Sequence, residues 1–252
     1  MTEKPLVSII TVVYNGEIHL QQTIESVRNQ TYKNIEYIII DGGSTDKTIS
    51  IIKKNETTIN KWISEPDKGL YDAMNKGINI ANGELIGMIN SDDWYESNAV
   101  EIMVKAYLEN PFKTIFHADR YDVLSDGSRI IKKFNQSSIK FKYYSMTYNH
   151  PSMFIARQEY KKHKYSTELI ALSDYQFVLE AFLADPDTFV YINKAIVNYR
   201  LEGVSAQMSF NNRMKEGFVA RKEAGMNIFG NLFALSIRAV LTIKNYVFGN
   251  GK

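Results

Sequence analysis

The chain has no cysteine, only five prolines and no uninterrupted apolar run of the length, about 18 residues, that a transmembrane helix requires. The missing cysteines exclude disulfides and thiolate metal sites, and they fit a reducing compartment. The first residues, Met1 to Pro5, lack the apolar core of a signal peptide. We therefore expect a cytoplasmic protein with no membrane-spanning segment.

The charge of the chain is small but unevenly distributed. Residues 205–252 hold seven Lys and Arg against two Glu, a net charge of +5. Because the whole chain carries +2, residues 1–204 carry −3. A basic C-terminal segment predicts an anionic surface as its partner. The body lacks a basic patch interleaved with aromatic residues, so we expect no nucleic-acid partner.

Apolar segments alternate with amphipathic ones in the first half of the chain, which predicts an α/β fold with a mainly parallel sheet flanked by helices. The chain length of 252 residues suits one large domain with a substantial core. The predicted strands of this half are Val7 to Val13, Ile35 to Ile40, Asn60 to Ser64 and Leu85 to Ile89.

The second half has a more mixed pattern. Ser125-Asp126-Gly127 is a hairpin turn signal between 121–124 and 129–134. Ser173 is predicted to cap a helix that buries Val178 and Phe182. Further predicted strands are 114–118 and 152–156, followed by a strand pair at 189–192 and 196–200.

Polar clusters follow all four strands of the first half. They are Tyr14 to Gly16, Asp41, Glu65 to Gly69, and Asn90 to Asp93. In a parallel sheet these strand ends meet at one edge, where ligands of such folds bind. Asp92 and Asp93, next to a buried strand, suit a divalent cation shared with phosphates. The alternative is four ordinary turns, with Ser91 to Asp93 capping a helix that starts near Ser97.

The motifs at these strand ends resemble those of the family 2 inverting glycosyltransferases, which have the GT-A (Rossmann-like) fold. The resemblance is dense over residues 5–110 and looser over 110–204. Within the family, the chain is similar to enzymes that build bacterial capsule, exopolysaccharide or O-antigen chains. The matching segments are Val7 to Asn15, Asp41 to Thr48, Asp67 to Gly69, Ala73 to Gly77, Asn90 to Asp93, His150 to Phe154 and Leu172 to Tyr175.

The resemblance implies a nucleotide-sugar half over about 1–110, an acceptor half over about 111–204 and a helical extension over 205–252. It implies that Asp92, with Asp93 as the fallback, holds Mg²⁺ or Mn²⁺, and that Asp174 is the general base. His150 would lie near the acceptor. The implied nucleotide-sugar-binding residues are Thr11, Val13, Tyr14, Asn15, Asp41, Asp67, Lys68, Gly69, Asn75, Asn90 and Ser91.

Several of these residues also have a purely structural interpretation. Asp174 would stabilise a helix start regardless of catalysis. His150 precedes a proline and could be a turn residue, and Lys68 could simply be solvated. Two positions depart from the family: Asn90 stands where it usually has Asp, and Met74 where it often has Arg.

The function predicted from the resemblance is transfer of a single sugar from a nucleotide-diphospho-sugar, with a UDP-sugar expected. The acceptor would be a hydroxyl of a glycan or of a polyprenyl-linked glycan in surface polysaccharide biosynthesis. Single transfer is favoured because the motif of processive synthases is missing. The alternatives are a nucleotidyltransferase that makes sugar nucleotides and a catalytically silent binding protein with the same fold.

The C-terminal segment from Ile228 to Phe248 is a separate signal. Asn231, Arg238 and Asn245 form a narrow polar stripe at seven-residue spacing on an otherwise apolar helix. Such a helix favours peripheral contact with a membrane, here the cytoplasmic face of the inner membrane, and Arg238 and Lys244 would favour anionic lipids. Docking on a partner or on its own domain is the alternative.

Overall fold

The computed structural model describes residues 4–201 and 208–248. A sheet of nine strands runs through the described chain in the order β3-β2-β1-β4-β8-β6-β9-β5, with β7 paired to β6. The strands are β1 Val7–Val13, β2 Ile35–Asp41, β3 Lys61–Ser64, β4 Leu85–Asn90, β5 Trp94–Tyr95, β6 Ile115–Val123, β7 Arg129–Lys132, β8 Phe154–Ala156 and β9 Phe189–Arg200.

Helices cover both faces of the sheet and enclose two apolar layers. The helices are α1 Leu20–Arg28, α2 Thr48–Lys54, α3 Leu70–Ile80, α4 Ala99–Glu109, α5 Ser138–Tyr143, α6 Ser173–Ala184, α7 Phe210–Glu223 and α8 Ile228–Phe248. The arrangement confirms the predicted fold class, with a sheet flanked by helices and helices at the C-terminal end.

The strands of the first half confirm the predicted parallel sheet. β1 lies between β2 and β4 and is parallel to both. β3 joins the outer side of β2, also in parallel, and begins one residue later than predicted. All seven residues of β1 are buried, as expected of a central strand that has helices on both faces.

The second half makes the sheet mixed. β8 is antiparallel to β4 and to β6, and the predicted hairpin is confirmed by the antiparallel pairing of β6 with β7. The predicted pair 189–192 and 196–200 is wrong, because both segments belong to the single strand β9. Asn193 and Lys194, which lie between the two predicted strands, are exposed. The register with β6 shifts there instead, and this irregularity absorbs the extra residues within one strand.

The start of α6 also differs from its prediction. The N-cap residue is Leu172, and Ser173 is the first helical residue. Ser173 is fully buried, and its hydroxyl donates to the side chain of Gln176 at 3.5 Å. Asp174 therefore lies in the first turn of α6, where a carboxylate interacts favourably with the helix dipole.

The α8 helix packs with its polar stripe inward. Asn231 and Arg238 are buried, whereas Phe229, Leu232 and Phe233 are more than half exposed. Asn231 accepts from Arg221 of α7, and Arg238 donates to the carbonyl of Tyr144. The side chain of Asn245, the third residue of the predicted stripe, lies outside the described residues, as does that of Lys244. No helix in the described part of the chain combines the length and apolar character that crossing a membrane demands.

His117 of β6 is a buried titratable group far from the strand ends. Its ring is 1% exposed and lies against Phe134, Tyr148 and Tyr191. Within the described residues its Nδ1 has no hydrogen-bond partner. Burial lowers the pKa of His117 to about 3 from its ordinary value of 6.5. The imidazole is therefore neutral in the folded protein at neutral pH.

We expect His117 to make the folded protein sensitive to mild acid. Below pH 6.5 the imidazole of His117 binds a proton in the unfolded state but not in the folded state. The free energy of unfolding therefore falls by up to about 1.4 kcal/mol per pH unit. His117→Phe removes this proton linkage while keeping an aromatic ring. Urea unfolding at pH 5 and pH 7.5 should show the variant gaining stability over the wild type only at pH 5. An equal stability difference at both pH values would contradict the assignment.

Candidate functional site

The ends of the four parallel strands lie side by side at one edge of the sheet. The register places Val13 opposite Asp41, and Asp41 opposite Ser64. On the other side of β1, Val12 lies opposite Asn90. The polar segments that follow these strands therefore emerge next to one another, as the sequence predicted.

Asp41 is a buried residue whose hydrogen bonds hold this edge of the sheet together. Its carboxylate is fully buried. One oxygen, Oδ2, accepts from the main-chain N–H groups of Gly43 and Ser44, at 3.1 and 3.0 Å, and from the hydroxyl of Ser64 at 2.7 Å. The other oxygen accepts from the hydroxyl of Ser44. Four donors thus compensate for its burial and fix the turn that follows β2.

The loop after β1 is held against that turn. The Asn15 N–H donates to the Ser44 hydroxyl at 2.7 Å, and the Asn15 side chain accepts from the N–H of Thr45 at 2.9 Å. Asn15 adopts a φ of 50°, a left-handed conformation that Asn tolerates better than most residues. Its neighbour Tyr14 is 65% exposed and offers a planar ring at the edge. This ring can stack on a flat, uncharged group such as a nucleotide base.

Two of the predicted residues of β1 are less accessible. Val13 is buried, and Thr11 is fully buried, with its hydroxyl 3.0 Å from that of Tyr37. The Thr11 hydroxyl is therefore engaged in the core, and a contact with a ligand would need another atom of that residue.

The loop after β3 brings Asp67 close to Asp41. A Cβ added to Gly42 would lie 2.4 Å from Oδ2 of Asp67, so only glycine admits this approach. Oδ1 of Asp67 accepts from the N–H of Gly69, whose φ of 117° also suits glycine. Lys68 is exposed at the same loop. Asp67 and Lys68 thus present one carboxylate and one ammonium group in the loop after β3, next to the strand ends.

Asn75 differs from the other predicted binding residues because its side chain is hydrogen-bonded within the protein. Its amide donates to the carbonyl of Tyr165 at 2.8 Å and accepts from the N–H of Tyr165 at 3.3 Å. Asn75 therefore ties α3 to the acceptor half of the chain. The structure gives it a positioning role, and the predicted contact with a nucleotide sugar stays a prediction.

The two adjacent carboxylates after β4 have different surroundings. Asp93 is 1% exposed, and its Oδ1 accepts from the N–H of Arg200 at 3.0 Å. Burial, and then the neighbouring Asp92, raise the pKa of Asp93 well above its ordinary value. Asp92 is only partly buried, and its carbonyl accepts from the guanidinium of Arg200. Asp93 thus anchors β9, which leaves Asp92 as the carboxylate nearer to the edge.

The surroundings of Asp92 fit a divalent cation shared with a ligand. The described residues contain no group of three or more His, Asp and Glu side chains that could hold a metal by themselves. Mg²⁺ and Mn²⁺ are commonly held by one or two carboxylates together with substrate phosphates and water. Asp92 follows Asn90 and Ser91 at the end of β4, and all three residues are partly buried, so this segment suits such a shared site.

Asp174 approaches the same edge from the acceptor half. It lines a cavity of about 520 Å³ together with Asn90, His150 and Tyr71. The hydroxyl of Tyr71 donates to Oδ1 of Asp174 at 3.2 Å, and the N–H of Tyr175 donates to the same oxygen at 2.8 Å. Both bonds use Oδ1, so Oδ2 is the oxygen that can take a proton from a ligand.

Two aromatic hydroxyls and a neutral imidazole surround this carboxylate. Burial, and then Asp174, raise the pKa of Tyr71, which therefore stays protonated as a donor. His150 lies 2.8 Å from the hydroxyl of Tyr165 through its Nε2. Burial lowers the pKa of His150, and Asp174 only partly offsets this effect. His150 therefore lines the cavity as a neutral hydrogen-bonding group.

Comparison with known proteins identifies the family of the chain. The family model described as glycosyl transferase family 2 matches residues 8–163. The chain belongs to this family. The matched segment contains all the strand-end motifs described above, and it stops short of Asp174.

Individual relatives agree with the family assignment. Over 221 residues the chain is 29% identical to a chondroitin synthase of Pasteurella multocida, covering 85% of this chain and 23% of that protein. It is 30% identical over 204 residues to a hyaluronan synthase of the same species, covering 79% of this chain and 21% of that protein. The chain thus spans about a fifth of the length of these curated relatives.

Solved structures share the fold at low sequence identity. The structure of S. aureus TarS in complex with UDP-GlcNAc has a TM-score of 0.71 at 18% identity, covering 97% of this chain and 74% of that one. A mannosyltransferase from Pyrobaculum calidifontis in complex with GDP-Man and Mn²⁺ has a TM-score of 0.63 at 12% identity, covering 99% of this chain and 77% of that one. At these identities the likeness is one of fold.

Sequence reasoning missed three residues of the site. Tyr71 and Tyr165 contact Asp174 and His150 from distant positions in the chain, and no local pattern distinguishes them from core aromatics. Arg200 stacks on Trp94 at 4.5 Å and donates to Gln22 as well as to Asp92. Its position at the end of a predicted strand was the one available signal.

Proposed function

We propose that the chain is an inverting glycosyltransferase that moves a single sugar from a nucleotide-diphospho-sugar to a hydroxyl of a glycan acceptor. The observation that carries the proposal is the cavity shared by Asn90 and Asp174. It joins the strand end beside Asp92 to a carboxylate that can accept a proton. The family membership and the relatives that are named as glycosyltransferases support the reaction class.

The donor would bind along the strand ends. Tyr14 would stack on the nucleotide base, and Asp67 would face the edge of that base. Asp41 would fix the turn beneath the base. The diphosphate would then lie toward Asp92. A cation bound there would neutralise the negative charge that develops on the leaving nucleoside diphosphate.

Asp174 would act as the base in a single displacement. An acceptor hydroxyl is a weak nucleophile, so a carboxylate must remove its proton as the new glycosidic bond forms. Tyr71 holds this carboxylate through Oδ1, and Oδ2 would be the oxygen that takes the proton. One base on one side and one leaving group on the other give a single displacement, which inverts the anomeric centre.

The finer assignment is a UDP-sugar donor and an acceptor of surface polysaccharide synthesis. The structure of TarS is a complex with UDP-GlcNAc, which supports a UDP-sugar as the donor of this chain. The relatives named chondroitin and hyaluronan synthases support a polysaccharide product.

The exposed face of α8 supports peripheral attachment to a membrane. Phe229 is 80% exposed and Leu232 52%, next to a C-terminal segment rich in Lys and Arg. An exposed apolar helix face suits a membrane interface, and the basic composition of this segment favours anionic lipids. A membrane-bound enzyme would meet an acceptor that is carried on a polyprenyl lipid.

The first prediction concerns the metal. Asp92→Asn should raise the Kd for Mn²⁺ in the presence of UDP at least tenfold, since a charged ligand is lost, and should nearly abolish turnover. Isothermal titration and a donor-hydrolysis assay measure the two effects. Asp126→Asn, at the exposed tip of the β6–β7 hairpin, is the matched control and should behave as the wild type. Full turnover of Asp92→Asn, or of the wild type in excess chelator, would contradict the assignment.

The second prediction concerns the base. Asp174→Asn keeps the size of the side chain but cannot take a proton, so turnover should fall by about 10²-fold or more. The Kd for UDP should change less than threefold, because the proposed donor contacts lie on other loops. Tyr71→Phe removes only the positioning bond and should cost less than Asp174→Asn. If Asp174→Asn weakened UDP binding as much as it slowed turnover, Asp174 would be a structural residue.

The third prediction concerns α8. Phe229→Ser combined with Leu232→Ser should lower partitioning onto phosphatidylglycerol vesicles about tenfold or more, because two exposed apolar side chains are lost. The melting temperature should stay unchanged, since neither side chain is buried. Phe112→Ser removes a phenylalanine that is 92% exposed on a different surface and serves as the control. Equal flotation of all three proteins would exclude the membrane contact.

A further inference from the structure

The main chain of the turn after β4 is bonded to α1. The turn runs from Asn90 to Asp93, and the Asp93 N–H closes it by donating to the Asn90 carbonyl at 3.2 Å. The hydroxyl of Thr23 on α1 is buried, and it lies 2.9 Å from the carbonyl of Ser91 and 2.7 Å from that of Asp93. Three of the four carbonyls of the turn are therefore bonded, and the fourth is that of Asp92.

Arg200, the last residue of β9, bonds that fourth carbonyl. Its guanidinium donates to the carbonyl of Asp92 and, at 2.7 Å, to the side chain of Gln22. The same group lies over the indole of Trp94, 4.5 Å from the ring centroid. The main-chain N–H of Arg200 donates to Oδ1 of Asp93 at 3.0 Å. The turn and the strand thus hold each other, because a side chain of each one bonds the main chain of the other.

The pairing of β5 with β9 brings Arg200 to this position. The two strands are antiparallel, with Trp94 opposite Asn198, and the amide of Asn198 donates to the Trp94 carbonyl at 3.3 Å. The same register, continued by two residues, sets Arg200 opposite Asp92. Arg200 lies beyond residues 8–163, the segment that the family model matches. The second half of the chain therefore supplies a fixed support to the residue that carries the proposed metal-binding carboxylate.

Arg200 has two effects on a cation bound at Asp92, and they have opposite signs. Hydrogen bonds that hold a metal ligand in place typically raise metal affinity about 10–100-fold, because the ligand is already ordered when the metal arrives. A guanidinium next to Asp92 also carries a positive charge, and this charge alone would repel a cation and weaken its binding. The direction in which metal affinity changes when Arg200 is replaced therefore shows which effect is larger.

We propose that Arg200 is a positioning residue, which holds the turn at Asp92 in the conformation that binds the divalent cation. This inference rests on the proposed function, because it assigns a support to the metal ligand of that same site. The planar guanidinium bonds Asp92 and Gln22 at the same time, whereas the ammonium group of a lysine is a point charge on a flexible stem. The hydrogen bonds of Arg200 thus outweigh the repulsion that its charge exerts on the cation.

The test measures metal binding and turnover separately in the full chain. Mn²⁺ is titrated by isothermal calorimetry in the presence of UDP, and hydrolysis of a panel of UDP-sugars gives kcat and KM. Arg200→Met removes the charge and the side-chain hydrogen bonds, so the Kd for Mn²⁺ should rise about tenfold and kcat should fall by a similar factor. Arg200→Lys keeps the charge but loses the planar fork, and its Kd for Mn²⁺ should rise about threefold or more. A lower Kd in Arg200→Met, or an unchanged one in Arg200→Lys, would overturn the proposal.

Two controls separate positioning from other roles of Arg200. Arg28→Met removes an exposed arginine from the last turn of α1 and should match the wild type in the Kd for Mn²⁺ and in kcat. The Kd for UDP in excess chelator should stay within twofold in both Arg200 variants, and a tenfold rise would make Arg200 a substrate-binding residue and overturn the proposal. Both variants keep the main-chain N–H that bonds Asp93, and if Arg200→Met fails to fold, Arg200→Lys decides the test.

The wild type tests the proposed function on its own. If it hydrolyses a UDP-sugar and binds Mn²⁺, but the Arg200 variants bind Mn²⁺ equally well, the proposed function stands and only the role of Arg200 is refuted. If it hydrolyses no UDP-sugar while the Arg200 variants still lose Mn²⁺ affinity, the proposed function fails and the support of a cation site by Arg200 stands. A wild type that binds no Mn²⁺ in the presence of UDP would overturn both.

Discussion

The whole edge of the sheet depends on the burial of one carboxylate. Asp41 sits at the end of β2 with no exposure, and it must find donors because the interior offers no water. It finds them in the turn after its own strand and in Ser64 at the end of β3. The same turn then receives Asn15 from the end of β1. A single desolvated charge thus fixes three strand ends relative to one another, and the arrangement of the polar loops that follow these strands depends on that constraint.

A second constraint couples this edge to the second half of the chain. The α3 helix packs on β1 and β2 but sends Tyr71 to Asp174 and Asn75 to the main chain of Tyr165. Tyr165 in turn meets His150 and stacks on Tyr71 at 5.7 Å. Movement of the loop that precedes α3 would therefore change the position of the Asp174 carboxylate. If a donor binds at that loop as proposed, this connection offers a route by which its binding could set the orientation of Asp174.

Much of the first half was predictable because local signals and global fold agree there. β-branched apolar runs gave β1, β2 and β4 nearly to the residue, and parallel topology alone brings their polar ends together. The second half was less predictable for reasons that lie in tertiary structure. A register shift merged two predicted strands into β9, and the burial of Asp93 depends on Arg200, which is 107 residues away. Spacing in the sequence shows which residues share an edge, but not which of two adjacent carboxylates turns inward.

The C-terminal helices reverse the usual pattern of amphipathic helices, in which apolar side chains face the protein. Asn231, Arg221 and Arg238 are buried, while Phe229 and Leu232 face outward. Each half of this reversal costs free energy in an isolated protein, because guanidinium groups lose hydration and apolar rings keep contact with water. The hydrogen bonds of Arg221 with Asn231 and of Arg238 with Tyr144 offset part of the first cost, whereas the second cost would fall only if an apolar surface covered the outer face of α8.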